Sequence, residues 1–515
     1  MDASVDVVVI GAGHNGLACA AYLARAGLEV LVLEASAQPG GNTRTEELTL
    51  PGFAHDSCSS AHVLVQSNPM IRDDELGLLA HHGLEYLYTD PAVVLPQADG
   101  DTLVMHRDLD ATADELARFS TEDAAAFRTM MAEWSGRLAA VHGRWSSGLP
   151  LGYGDEVARY VSLRGQSAWD VVHSRFSHPT VRSFVLWLAM ATIQDPRRAG
   201  TGFLPSSLAA GRLSFGWATP VGGSQALPDA LISVISAHGG SVVCSAPVER
   251  VEVVDGRVGA VRTSDGRRFE ARRAVVSSAH LALLGDMLVG ADAPAGDLAD
   301  AKARWRPGLS VFAVHAALRR DLEYPSADGT LRSPAAGLGT TEGMVRQIDA
   351  HHRGETDATD PWLLVVGQSA VDPGRAPAGQ ATFKILTIAP YDRADGRDWA
   401  EAKDEYAAQL VDLVRARADG LAEDDILALR AESPVDVAGH NPHNLGGSCH
   451  GGEFLMSDGG VIPGWPAYTT SLPGLFLTGA TTHPGGSVSG RPGRNAARAV
   501  LTELGIDPAT VMGPT

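Results

Sequence analysis

The sequence predicts an α/β fold: a Rossmann-like unit combined with a discontinuous α+β domain. Three observations carry this. The chain opens on a β-branched strand that runs directly into a G-x-G-x-x-G turn. Strand-and-turn character of the same kind returns mid-chain and again at the C-terminus, separated by one helix-rich and one mixed segment. At 515 residues the chain exceeds what a single hydrophobic core usually serves.

The opening stretch runs from Val5 to Glu34. Val5 to Ile10 is short and apolar, which suits a strand buried on both faces. Gly11, Gly13 and Gly16 follow, and then Leu17, Ala20, Ala21 and Leu23 recur at helical spacing up to Gly27. Glu29 to Leu33 reads as a second strand with Glu34 at its end. Gly11 permits the tight turn, Gly13 lets a pyrophosphate approach the backbone, and Gly16 lets helix and strand pack closely. The helix N-terminus offers unpaired N–H groups to phosphates. Glu34 is placed to accept hydrogen bonds from ribose hydroxyls, and its charge disfavours a 2′-phosphate. Strand, glycines, helix, strand and acid in this order make the dinucleotide site specific, where a lone glycine motif is not.

Composition excludes several classes. A net charge of −20 argues against nucleic acid and against electrostatic docking on anionic lipid, although an apolar patch touching a membrane stays open. No apolar run reaches the length of a membrane span. The N-terminus has no basic segment followed by an apolar one, so a cytoplasmic location is expected. Cys19, Cys58, Cys244 and Cys449 show no C-x-x-C pairing, which supports neither a zinc site nor a redox pair.

Along the chain, Gly40–Gly41 permits a bend close to a ligand, and Arg44 is the nearest cation, either to a phosphate or to Glu46 and Glu47. Pro51 to His62 is dense in small polar residues and reads equally as a pocket wall or a self-satisfied buried loop. Residues 68–210 turn helical, with one long run over Thr112 to Ala140 and an apolar helix over Ser177 to Ile193. Trp134, Trp145, Trp169, Phe176, Phe184 and Trp187 concentrate here, as core or as the wall of a substrate cavity. After the P-V-G-G-S-Q-A-L turn, Ser241 to Ala279 reads as several strands with hairpin turns at Asp255–Gly256 and Asp265–Gly266. Val248 enters this sheet where backbone groups would meet an adenine. Strands over Ser310 to Leu318, Trp362 to Gln368 and Thr382 to Ile388, with a helix over Trp399 to Ala418, suit a mostly antiparallel sheet. Tyr324 to Gly339 is Pro/Gly/Ser-rich and reads as a mobile segment. Near the end, a strand over Leu475 to Thr478 leads through a glycine-rich crossing to a helix that starts near Val488. Its positive dipole end would face the N1–C2=O edge of a flavin.

G-A-G-H-N-G, the Gly40–Gly41 turn with Thr45-Glu46-Glu47, G-G-S-Q-A-L and L-F-L-T-G-A-T-T-H-P-G-G-S-V-S-G-R-P-G-R-N-A-A together resemble the phytoene-desaturase-like FAD oxidoreductases, nearly end to end. The bacterial branch with P-G-F-x-H-D and D-P-x-R-A-P-A-G-Q, here Pro51 to Asp56 and Asp372 to Gln380, is the nearest likeness. The resemblance implies non-covalent FAD, an amine-oxidase-type flavoprotein fold and hydride transfer from a saturated carbon to flavin N5. It implies an FAD-binding domain of residues 1–67, 215–300 and 429–515, and a substrate domain of residues 68–214 and 301–428. The expected cofactor residues are Gly11, Ala12, Gly13, His14, Asn15, Gly16, Glu34, Ala35, Gly41, Asn42, Arg44, Val248, Gly479, Ser487 and Val488. Many relatives place Arg directly after the glycine pair; this chain has Asn42 there, and Arg44 is the substitute.

The function expected is an FAD-dependent desaturase, dehydrogenase or oxidase acting on a mostly apolar small molecule, with O2 or another electron acceptor. The alternatives are an amine or amino-acid oxidase on the same fold and a non-catalytic flavin-binding partner protein. Forming an alkene also releases a proton, for which histidine is the suitable acceptor. His62 and His440 are the favoured candidates, ahead of His443, His450 and His483. The spacing of His440, His443 and His450 lacks the frame of a metal site, and none is expected.

Overall fold

The computed structural model describes residues 3–290, 296–326, 329–453 and 468–513. Two sheets organise them. In the first, the strands Ser241–Val243, Val30–Leu33, Ala3–Ile10 and Arg268–Ser277 are parallel neighbours. The strand Arg268–Ser277 changes partner along its length. Its first residues, Arg268 to Glu270, pair antiparallel with Arg257–Thr263. Its last, Val275 to Ser277, pair parallel with the C-terminal strand Leu475–Leu477. Asp255 and Gly256, at φ 52° and 72°, close the hairpin between Val248–Val254 and Arg257–Thr263, as the Asp-Gly dipeptide predicts.

The opening strand is buried on both faces. Val7 and Val9 join the core under the helices His14–Arg25, Ala226–Ala237 and Arg491–Glu503, while Val8 and Ile10 join the core on the other side. A continuous apolar run is the sequence signature of that environment.

The second sheet has the order Ile426–Glu432, Val311–Leu318, Ala381–Ile388, Leu363–Val366, Ala335–Leu338, Val93–Pro96, Thr102–Met105. It is antiparallel except where Ala336 meets Val94. One face carries the helix Trp399–Arg415. The other carries the helix-rich segment, including Pro179–Met190 and Leu204–Phe215.

Three expectations are corrected. The run over Thr112 to Ala140 is not one helix: Leu109–Ala117 ends, and Ser120 starts Thr121–Glu133 by accepting the N–H of Asp123 at 3.1 Å. Serine is as good a helix start as it is a poor interior residue, and the local cap wins. Tyr324 to Gly339 contains the pair Tyr324–Ser326 and Gly329–Leu331 and then the buried core strand Ala335–Leu338, so Pro325, Gly329 and Gly337 lie within strands. The last helix begins at Arg491, with Gly490 as its left-handed N-cap, rather than near Val488.

That helix is anchored by its own motif. Arg494 pairs with the buried Glu75 through two hydrogen bonds of 2.8 and 2.6 Å, and Tyr22 donates to the same carboxylate. Asn495 donates to Ser146 O and to Tyr468 Oη. Replacing Glu75 with Gln leaves the Arg494 cation buried without its counter-charge. The variant is expected to lose about 3–5 kcal/mol of stability, read as a lowered urea midpoint; an unchanged midpoint would show that the pair is not holding the helix.

Candidate active site

The parallel triplet Ala3–Ile10, Arg268–Ser277 and Leu475–Leu477 delivers the two glycine-rich chain ends to one place. Ser278, just past the middle strand, donates from its hydroxyl to Ile10 O at 2.7 Å. Gly11, at φ +91°, lies so close that a Cβ there would sit 2.3 Å from Ser278 Oγ. A Cβ on Gly479 would sit 3.2 Å from Ser278 O. Gly40 N donates to Ala12 O at 2.8 Å, which folds the Gly40–Gly41 bend against the first turn.

These segments enclose a cavity of about 420 Å³. All of the predicted cofactor residues line it except Ala12, which lies behind it and donates its N–H to Glu34 Oε2 at 2.7 Å. The other Glu34 oxygen accepts the N–H of Ser36 at 2.8 Å. Each oxygen therefore keeps a lone-pair direction for a ligand hydroxyl. Ala35, Pro247 and Val248 continue the wall from Glu34. Gly13 lines the cavity, and a Cβ built on it meets no protein atom within 4 Å, so the space above it is open. Helix His14–Arg25 starts there with no side chain capping its first N–H groups.

The buried polar atoms around the cavity point the same way. Among the described residues, His14 Nε2, Asn15 Oδ1, Arg44 Nε, Ser59 Oγ, His280 Nε2 and His443 Nε2 have no hydrogen-bond partner. Buried polar groups are ordinarily satisfied, so a polar ligand completes them. A cavity with a glycine cradle, an uncapped helix start and a terminal acid fits a dinucleotide such as FAD.

The predicted residues have different surroundings. Arg44 reaches His440 O at 3.4 Å and stands 3.9 Å from Glu46. Asn42 is held by Asn441 and Asn444 at 3.0 and 2.8 Å, so its amide ties the glycine bend to the 440s loop. Ser487 lines the cavity at φ +84°, a conformation that costs energy for a residue with a Cβ. Its backbone hydrogen-bonds His14, whose ring burial pushes down to about 4.

His62 is a correction. It is fully buried, does not line the cavity, and has both ring nitrogens occupied, by Tyr86 Oη at 3.1 Å and Ser224 Oγ at 3.2 Å. Burial pushes it down to about 3, so it is a neutral bridging group in the core. His440 does line the cavity, with Nε2 3.3 Å from Glu432. His443 and His450 line it too, both pushed down to about 4 by burial; His483 does not line it.

The Pro51-to-His62 loop resolves as both readings at once. Cys58, Ser59, Ser60 and Ala61 line the cavity, while Asp56 pairs with buried Arg375 at 3.0 Å and Lys384 Nζ donates to Asp56 O and Cys58 O at 3.0 and 2.7 Å. None of the six aromatic residues singled out in the helical segment lines the cavity; Trp217 does. Cys58 and Cys449, far apart in sequence, both line the cavity. No spacing rule signals such a pair. Arg212 and Trp217 were likewise missed, because a single Arg and a single Trp carry no motif.

Comparison with known proteins agrees with this geometry. The family model for flavin containing amine oxidoreductases matches residues 16–501. The chain is 27% identical to one of the polypeptides of limonene dehydrogenase from Castellaniella defragrans, over 98% of this chain and 95% of that one. It is 26% identical to a lycopene-forming phytoene desaturase of Pseudescherichia vulneris, over 94% and 96%. A double mutant of putrescine oxidase shares the fold, with a TM-score of 0.64 at 16% identity over 98% and 100% of the two chains.

The variant Gly13→Ala separates fold from ligand. Its Cβ has room in the protein, so the ligand-free melting temperature should stay at the wild-type value. The methyl group fills the cradle, so FAD affinity should fall about tenfold or more, about 1.4 kcal/mol, by fluorescence titration. Unchanged affinity would place the phosphates elsewhere. The glycine cradle, the lining and the family match lead to one conclusion: the chain belongs to the flavin-containing amine oxidoreductases and is an FAD-dependent oxidoreductase.

Proposed function

We propose that the protein desaturates or dehydrogenates a mostly apolar small molecule. The observation that carries this reading is one cavity with two kinds of wall: glycine-rich chain ends on one side, and Leu64, Ala191, Leu208, Leu364 and Leu386 on the other. Relatives named for limonene and phytoene support an apolar substrate class. When bound, FAD supplies a hydride acceptor, so that a C–H bond of the substrate gives way to a double bond.

The chain's own residues bind, orient and exclude water. Glu34 accepts from the ribose, and Val248 presents backbone to the adenine. Gly13, His14, Asn15 and Gly16 offer backbone N–H groups to the pyrophosphate, with Gly11 making the turn that brings them there and Arg44 as counter-cation. Gly479, Ser487 and Val488 border the ring. In this reading residues 1–67, 215–300 and 429–515 hold FAD, and residues 68–214 and 301–428 hold the substrate. Water exclusion by the leucine wall raises the strength of every electrostatic contact inside. His440, oriented by Glu432, takes the proton that leaves as the double bond forms. An electron acceptor, O2 or another, closes the cycle.

Anaerobic mixing of the FAD-loaded protein with a library of terpenoid, isoprenoid and amine compounds tests the reading. Bleaching of the flavin band by unsaturable hydrocarbon skeletons is expected. Bleaching by amines alone, with hydrogen peroxide on aeration, would assign an amine oxidase instead. Glu34→Ala is expected to weaken FAD binding by about 1–3 kcal/mol, the usual value of charge-assisted hydrogen bonds; an unchanged dissociation constant removes Glu34 from the ribose.

A further inference from the structure

Arg212 lies in the helix Leu204–Phe215, one turn after Leu208, and the two residues line the same cavity. It is 5% exposed. Its guanidinium lies over the Trp217 ring at 4.3 Å. Its Nε and Nη1 have no hydrogen-bond partner among the described residues, and neither has Trp217 Nε1. No carboxylate of the described residues lies within ion-pair distance of it. Burial alone acts on its protonation, pushing it down to about 9, so it is still a cation at neutral pH.

A buried cation with no counter-charge is among the least favourable arrangements a protein holds, and one that persists at a cavity wall is completed by a ligand. The chemistry of that ligand follows from the donors. Arg212 Nε, Arg212 Nη1 and Trp217 Nε1 all donate and none can accept. The matching group accepts only and carries negative charge. Arg164 shows that stacking is not itself the signal: its guanidinium lies over Trp145 at 3.8 Å, but it lines no part of this cavity.

We propose that Arg212 and Trp217 form a carboxylate subsite, so that the substrate is an apolar molecule bearing one acid head group. This deepens the proposed function and rests on its reading of the cavity. The leucine wall takes the hydrocarbon body, and the Arg212–Trp217 corner fixes which end enters. A protonated amine is rejected at the same corner by like charge, which separates this site from one built for amines.

The test uses three probes with one skeleton: 4-phenylbutyrate, its methyl ester and 4-phenylbutylamine. Binding to the FAD-loaded protein is measured by calorimetry and by the shift of the flavin band. The acid is expected to bind about tenfold or more tighter than the ester, with the amine weakest. Arg212→Met should remove that preference and leave ester binding within about twofold, and Trp217→Phe should reduce it less. Arg164→Met should leave it intact. Without ligand, Arg212→Met should raise the melting temperature, because an uncompensated buried charge is gone. An acid that binds no better than the ester, an acid that does not bind, or an Arg212→Met variant that keeps the preference would each overturn the subsite. If Arg212→Met fails to fold, the acid–ester comparison on the unaltered protein decides alone. A protein that takes up no FAD would instead remove the parent reading.

Discussion

Everything in the site depends on one strand serving two masters. Arg268–Ser277 hydrogen-bonds the first strand of the chain along one edge and, by its last three residues, the final strand along the other. Parallel strands point their C-terminal ends the same way, and ligands of open α/β sheets collect in the crevice outside those ends. Gly11 and Gly479 therefore emerge side by side although most of the sequence separates them. Ser278 fixes the spacing, with its hydroxyl on Ile10 O and its carbonyl under Gly479. A longer side chain at either glycine would push the two ends apart and open the crevice.

Electrostatics around the cavity follow from the burial of the groups that line it. Several imidazoles face or border it, and burial holds His14, His443 and His450 near pH 4 in their titration, so they are neutral at neutral pH. Neutral rings cost less to bury than charged ones, and His14 and His443 each keep Nε2 free for whatever lies in the space. Charge is confined to a few places. Glu34 is steadied by two backbone N–H groups, Arg44 sits near Glu46, and Arg212 rests on an indole. Asp56 and Arg375 show the opposite solution: two charges removed from water that meet each other directly. The motif segments Pro51 to Asp56 and Asp372 to Gln380 are thus explained together, as the two halves of a buried ion pair beneath the loop that forms one wall.

What could be read from the residues alone was whatever is written in local order. The glycine fingerprint, the Asp-Gly hairpin, the apolar strands and the terminal acid are decided within a few residues of themselves, and the structure holds them where periodicity places them. The long helix over Thr112 to Ala140 failed because a serine cap competes locally with a helical run, and counting helix formers does not register it. His62 failed for a different reason. Its sequence neighbours Ala61 and Val63 line the cavity, but its ring turns away to Tyr86 and Ser224, partners 24 and 162 positions distant. Side-chain direction is a tertiary property, and a loop rich in small polar residues gives no period from which to infer it.

The same distinction explains why binding chemistry and substrate chemistry differ in legibility. A nucleotide is held by backbone geometry, and backbone geometry demands glycines at fixed offsets, which leave a motif. A substrate head group is held by side chains that need only arrive together in space. Arg212 and Trp217 are five positions apart, on a helix end and the turn after it, and in sequence they are an ordinary arginine and an ordinary tryptophan. Burial without a hydrogen-bonding partner, at a cavity wall, is what marks them, since a buried cation without a counter-charge is costly and the cavity leaves room for one. The substrate preference of such a fold is therefore written in unsatisfied groups rather than in motif strings, and those groups become visible once the fold has decided what they do not touch.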